Sequence, residues 1–201
     1  MVKFFILTLL SCLTFHSLQA SEQTVIGKAI APFTAPNAQG GEFSFSQFPN
    51  AKAIAIVFTC NHCPFAELYI ERMNQFHRMY EPLGIPLIAV NPMDSTIYEE
   101  ETLSEMRAKV LRDSIVFPYL QDHSQSIGRM FKAAYTPQVF IIQKYAGNWN
   151  IVYQGIIDDN GRYPELATSH LKNTADAILS GKQIPQEIID SFGCKIIYRS
   201  Q

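Results

Sequence analysis

The chain has 201 residues, of which 47 % are hydrophobic and 17 % charged, with a formal net charge of −2 at pH 7. That balance describes a folded globular protein, excludes a disordered one, and provides no basic field to recruit nucleic acid. The length suits one domain with a self-sufficient core.

Met1-Val2-Lys3 makes a short basic start, and Phe4 to Phe15 is almost wholly apolar. Ser17-Leu18-Gln19-Ala20 then places a small residue before Ser21-Glu22. This is the layout of a secretory signal peptide over residues 1–20, with an apolar run too short to span a bilayer comfortably. The variant reading is cleavage before Cys12, with Leu9-Leu10-Ser11 as a lipobox and Cys12 lipidated. The expectation is a periplasmic or secreted protein, with residues 21–201 forming one domain and no transmembrane span after signal removal. The mature chain would keep Cys60, Cys63 and Cys194 in a compartment where disulfides persist.

An extended segment opens the domain. Ala31-Pro32-Phe33 and Glu42-Phe43-Ser44-Phe45 flank the turn Asn37-Ala38-Gln39-Gly40-Gly41 and read as a short hairpin. Ala53 to Thr59 is apolar up to its last residue and rich in β-branched residues, the signature of a strand buried on both faces. Cys60-Asn61-His62-Cys63-Pro64 follows, then Phe65, Leu68, Tyr69, Met73, Phe76 and Tyr80 at helical spacing, stopped by Pro82 and Gly84. Ile85 to Val90 is a second apolar strand. Tyr98 to Arg112 is acidic first and basic last, as a helix dipole favours. A short extended piece follows over 115–120, then a helix over 125–134 capped by Ser124. Beyond Thr136-Pro137 come a hairpin (139–142 and 151–157) and a helix over 165–179. The alternation of strands and helices predicts a layered α/β sheet, with strands 53–59 and 85–90 adjacent and joined by a right-handed crossover.

The cysteine pair lies where a strand ends and a helix begins. Two thiols spaced this way can form a redox couple, half of a zinc site, or inert core packing. Zinc wants four ligands, or three and a water. Besides the pair, the mature chain offers His62, His77, His123, His170 and Cys194, with no second CxxC and no HxxxH. The redox reading is the strongest, without metal or other cofactor. Cys60 is expected at the exposed edge as the nucleophile. Its pKa would be lowered by the helix N-terminus and by His62, and Cys63 would resolve the mixed disulfide. Cys194 is either a buried apolar residue or a third redox thiol. A copper- or zinc-binding chaperone using both cysteines and a histidine is the binding alternative.

Strand, CxxC-Pro, helix and a later Thr136-Pro137 before a strand resemble the thioredoxin-fold superfamily. More closely, the chain resembles the redoxin (AhpC/TSA-like) group of secreted thioredoxin-family proteins. That likeness rests on Gly27-Lys28-Ala29-Ile30-Ala31-Pro32-Phe33, Cys60-Asn61-His62-Cys63-Pro64-Phe65, Tyr153-Gln154-Gly155 with Asp158-Asp159, and Gly193-Cys194-Lys195-Ile196. It implies a three-layer α/β/α sandwich with a mixed central sheet and an N-terminal hairpin extension, and a cis Pro137 against the cysteine pair. It also implies thiol–disulfide exchange through Cys60 and Cys63 with protein or small-molecule thiols and a redox partner protein. The group name also suggests peroxide reduction, but no frame supplies the Pro-x-x-x-Thr/Ser-x-x-Cys motif. Counting back from Cys63 gives Cys60 and Ile56, and from Cys60 gives Val57 and Ala53.

Overall fold

The computed structural model describes residues 25–200. The expected signal peptide and Cys12 lie outside the described residues. The strands are β1 (Ala29–Ile30), β2 (Ala35–Pro36), β3 (Glu42–Phe43), β4 (Ala53–Phe58), β5 (Leu87–Asn91), β6 (Tyr119–Gln121), β7 (Tyr135–Thr136), β8 (Gln138–Tyr145), β9 (Asn148–Gly155) and β10 (Cys194–Lys195). The helices are α1 (Pro64–Glu67), α2 (Ile70–Tyr80), α3 (Leu103–Arg112), α4 (Ser126–Phe131) and α5 (His170–Ser180).

The main sheet has the order β1-β9-β8-β4-β5-β6 and is mixed. β4 and β5 run parallel, as the crossover rule requires, while β8 pairs antiparallel on the other side of β4. β2 and β3 form the expected N-terminal hairpin.

Every residue of β4 is buried, and its two faces carry different sizes of side chain. Ala53, Ala55 and Val57 face the cluster that holds Met73, Phe76 and Tyr80 of α2, Met106 of α3, and Leu171 and Ala175 of α5. Small strand residues let bulky helix residues approach closely, which keeps density native-like. Ile54, Ile56 and Phe58 point the other way, into a cluster with Phe33, Phe43, Phe131, Trp149, Ile196 and both CxxC cysteines. Helices on one face, with α4, the N-terminal hairpin and the C-terminal tail on the other, make the three layers of a thioredoxin-like sandwich.

Local details differ from the sequence reading. The helix after the cysteines is broken at Leu68–Tyr69, where Tyr69 N donates to Ala66 O at 3.1 Å in a tight turn before α2 begins. The N-cap position of α4 is Gln125, with a left-handed φ of 60°, one residue beyond Ser124; Ser124 Oγ still accepts from Ser126 N at 3.3 Å, and the Asp122 carboxylate accepts from Gly128 N at 2.8 Å. The tail adds a strand, β10, antiparallel to β7, with Cys194 opposite Thr136 and Lys195 opposite Tyr135. No helix among the described residues is long and apolar enough to cross a membrane.

Candidate active site

β4 delivers the chain to Cys60, and Cys63 is the N-cap residue of α1, its carbonyl accepting from Glu67 N at 3.2 Å. Pro64 takes the first helical position, where a missing N–H costs nothing. Across the cleft, the Thr136–Pro137 peptide is cis. Gln138 braces that loop, its Oε1 accepting from Ala134 N at 2.7 Å and Tyr135 N at 3.3 Å.

The sulfur atoms of Cys60 and Cys63 both lie against Thr136, and Cys194 is paired opposite it on β10. Cys60 Sγ lies 3.2 Å from Thr136 Oγ1, and Cys63 Sγ lies 3.3 Å from the Thr136 carbonyl oxygen. Cys194, its strand partner, forms a disulfide with Cys63 over a Cα–Cα distance of 6.1 Å. Cys60 is the free cysteine of the described residues. Cys194 is therefore brought beside the CxxC pair, and the disulfide present joins Cys63 to Cys194 rather than to Cys60.

The expected exposure and acidity of Cys60 are reversed. Cys60 is only 1 % exposed, and its thiol is pushed up to about 12. Burial is the main cause and the Glu101 carboxylate the second; hydrogen bonds from Thr136 and the local backbone oppose them. The physical reason is position: the helix starts at Cys63, one turn beyond Cys60, so Cys60 packs between the end of β4 and the cis-proline loop.

His62 also departs from a simple thiolate-tuning arrangement. Its Nδ1–H donates to Glu101 Oε1 at 2.5 Å, and its ring stacks on Tyr98 with centroids 4.7 Å apart. Glu101 is fully buried and anchors the whole CxxC loop. It accepts from Asn61 N at 2.9 Å, His62 N at 3.0 Å and Asn91 Nδ2 at 2.5 Å. Tyr119 completes the network by donating to Asn61 Oδ1 at 2.8 Å. Its hydroxyl is held well above its usual pKa, first by burial and then by Glu101.

Sequence reasoning missed Glu101, Asn91 and Tyr119. Glu99-Glu100-Glu101 reads as the acidic start of a helix, and no spacing marks the third glutamate as the buried one.

The Cys60 sulfur, the His62 ring and the Glu101 carboxylate lie within 4.8 Å of one another, three ligand types that zinc accepts. The fit is poor. Both Glu101 oxygens already hold backbone and side-chain donors, and Cys63, a ligand in the chaperone reading, is committed to Cys194.

A cis-proline loop faces a CxxC at a strand–helix junction within a thioredoxin-like fold. The AhpC/TSA family matches residues 26–147, and the chain belongs to that family. A search of curated protein sequences finds no match. Among solved structures, a hypothetical protein from Sinorhizobium meliloti is 32 % identical, with a TM-score of 0.79 over 89 % of this chain and 97 % of that one. An uncharacterized conserved protein from Geobacillus kaustophilus is 27 % identical, with a TM-score of 0.78 over 88 % and 93 %. The thioredoxin domain of a thiol-disulfide oxidoreductase from Bacteroides vulgatus shares the fold at 13 % identity, with a TM-score of 0.58 over 78 % and 99 %.

Proposed function

We propose that this protein is a thiol–disulfide oxidoreductase that works through Cys60, Cys63 and Cys194, in the extracytoplasmic compartment to which residues 1–20 would direct it. The placement of the Cys60 and Cys63 sulfurs on one residue, Thr136, with Cys63 bonded to Cys194, carries this reading. Cys63 is the hub. It is bonded to Cys194 and shares Thr136 with Cys60, so one exchange links two disulfide states. In that exchange the Cys60 thiolate attacks Cys63 Sγ, and Cys194 leaves as a thiolate and takes up a proton. No electrons are gained or lost. Net transfer then requires a thiol or disulfide partner, and the name of the Bacteroides vulgatus relative supports that partner chemistry.

A redox titration against dithiothreitol, followed by free-thiol counting, tests this. A single two-electron transition, with insulin reduction that is lost in Cys63→Ser, is the expected result. An inert protein overturns it.

Peroxide reduction at Cys60 is the second reading. Family membership favours it, and Thr136 places near the sulfur the hydroxyl that the local spacing lacks. The burial and raised pKa of Cys60 oppose it, because the thiolate is the peroxide-reactive form. Rapid peroxide consumption with a Cys60 sulfenate would establish it.

A further inference from the structure

The tail that carries Cys194 is held on both sides of that residue. Upstream, Gln154 N donates to Glu187 O and Ile189 N to Gln154 O, each at 2.9 Å, and Ser191 Oγ donates to Gly155 O at 3.0 Å. Downstream, Ile196 N donates to Ala134 O at 2.8 Å, with the Ile196 side chain buried in the core. Tyr198 Oη then donates to Ala133 O at 2.7 Å and Arg199 N to Gln125 Oε1 at 2.8 Å. Breaking the disulfide removes none of these contacts, so Cys194 is a resident of the site and not the tip of a swinging arm.

The approach of the tail to the cis-proline loop is also specified residue by residue. Gly193 has φ +141°, and a Cβ there would lie 2.2 Å from the Thr136 carbonyl oxygen and 2.8 Å from its carbon. Only glycine admits the backbone this close. β10 then fills the edge of β7 that a polypeptide partner would otherwise use for strand addition. With that edge occupied, Cys60 and Cys63 are each 1 % exposed, whereas Cys194 is only half-buried.

We propose that Cys194 is the sulfur that exchanges with partner thiols, and that Cys60 and Cys63 form an inner pair reached only through it. The proposal rests on the thiol–disulfide reading above. It follows from access: attack on a disulfide needs an open line to one sulfur, and Cys194 is the more exposed residue of this bond.

The step is balanced with a dithiol donor. One donor thiolate attacks Cys194 Sγ, the Cys63–Cys194 bond breaks, and its electron pair leaves on Cys63, which takes up a proton. The second donor thiol then attacks the donor sulfur of the mixed disulfide, and Cys194 departs as a thiol. The donor leaves as a disulfide, and two electrons have entered the protein. Before that reduction, attack by Cys60 on Cys63 moves the bond from Cys63–Cys194 to Cys60–Cys63 with no change in electrons; after it, all three cysteines are thiols. The partner class is thus a thiol-bearing protein or small molecule that meets a closed strand edge.

The test uses the full-length oxidised protein and reduced glutathione, quenched with acid at short times and mapped by peptide mass spectrometry. Glutathione is expected on the Cys194 peptide. In Cys63→Ser treated with glutathione disulfide, the Cys194 peptide should be labelled at least about tenfold faster than the Cys60 peptide, given the difference in access. Cys194→Ser should exchange at least about tenfold more slowly than the native protein, since only buried sulfurs remain.

Glutathione found first on Cys60 or Cys63, or a Cys194→Ser variant exchanging at the native rate, overturns the proposal while leaving the oxidoreductase reading intact. A native protein inert to glutathione and dithiothreitol overturns both. Should either variant fail to fold, as judged by circular dichroism, the mapping on native protein decides alone.

Discussion

Glu101 Oε1 lies 2.5 Å from His62 Nδ1, although 39 residues separate the two in the chain. The same carboxylate also receives the backbone N–H groups of Asn61 and His62. The residues between the cysteines are thus pinned by a side chain from the loop after β5, and His62 is oriented by it. Glu101→Ala would leave these buried donors unpaired, so we expect a loss of about 3–5 kcal/mol, the usual consequence of removing one partner from a buried charged network. Urea unfolding of the variant measures it.

Glu101→Gln separates charge from hydrogen bonding. The carboxylate charge is one of the two causes that raise the Cys60 thiol, so neutralising it should move Cys60 downward in pH. The iodoacetamide alkylation rate of Cys60 as a function of pH reads the shift. An unchanged profile would mean that Glu101 acts on the loop geometry alone.

The raised Cys60 pKa has consequences of its own in the native protein. With the thiol pushed up to about 12 from an ordinary 9.0, its thiolate fraction at neutral pH lies about a thousandfold below that of an unfolded cysteine. Alkylation at pH 7 should therefore be slow until the protein is unfolded, even before access is considered. The sign for stability follows from linkage. The unfolded chain releases the Cys60 proton from about pH 9 upward while the folded protein retains it to about 12, so this contribution is complete below pH 9 and lost as pH rises between those values. Unfolding free energies measured at pH 8 and above, native against Cys60→Ala, check it.

Gly193→Ala tests the close approach of the tail. The added Cβ meets the Thr136 backbone at 2.2 Å, and the left-handed φ is unfavourable for alanine. Strain of about 1–3 kcal/mol from the backbone alone, with the contact added, should force β10 away from β7. The expected outcome is a lower melting temperature and a Cys63–Cys194 pair that is more easily reduced, read by thiol counting in graded dithiothreitol.

Arg72 of α2 ties that helix to Asp158 in the loop after β9. Arg72 Nη1 reaches Asp158 Oδ2 at 2.6 Å and also donates to Asn160 O at 2.9 Å, while Nη2 donates to Gly161 O at 2.6 Å. Both side chains are largely buried, so Arg72→Ala should cost about 3–5 kcal/mol by leaving Asp158 unpaired. Thermal unfolding is the measurement. A small effect would mean that the loop after β9 relaxes to hydrate Asp158.

Local patterns were enough to read the frame of this protein. The apolar run of β4, the helical spacing after Cys63 and the parallel placement of β4 and β5 are consequences of side-chain periodicity and chain chirality, both of which are written in short windows of sequence. The motif residues Cys60, His62, Cys63, Thr136 and Pro137 could be named for the same reason, as each belongs to a short recognisable string.

Only the tertiary structure decided how those residues behave. Burial of Cys60 depends on what packs over it, and the partner of Cys63 depends on where a tail 131 residues away is laid down. Which of three consecutive glutamates enters the core is likewise set by the turn before α3 and not by composition. Exposure, pKa and disulfide pairing are properties of the space around a group, and that space is built from residues distant in the chain. The Cys60-Asn61-His62-Cys63-Pro64 string therefore located the chemistry, while Glu101, Thr136 and Cys194 determined which cysteine is buried and free and which is bonded.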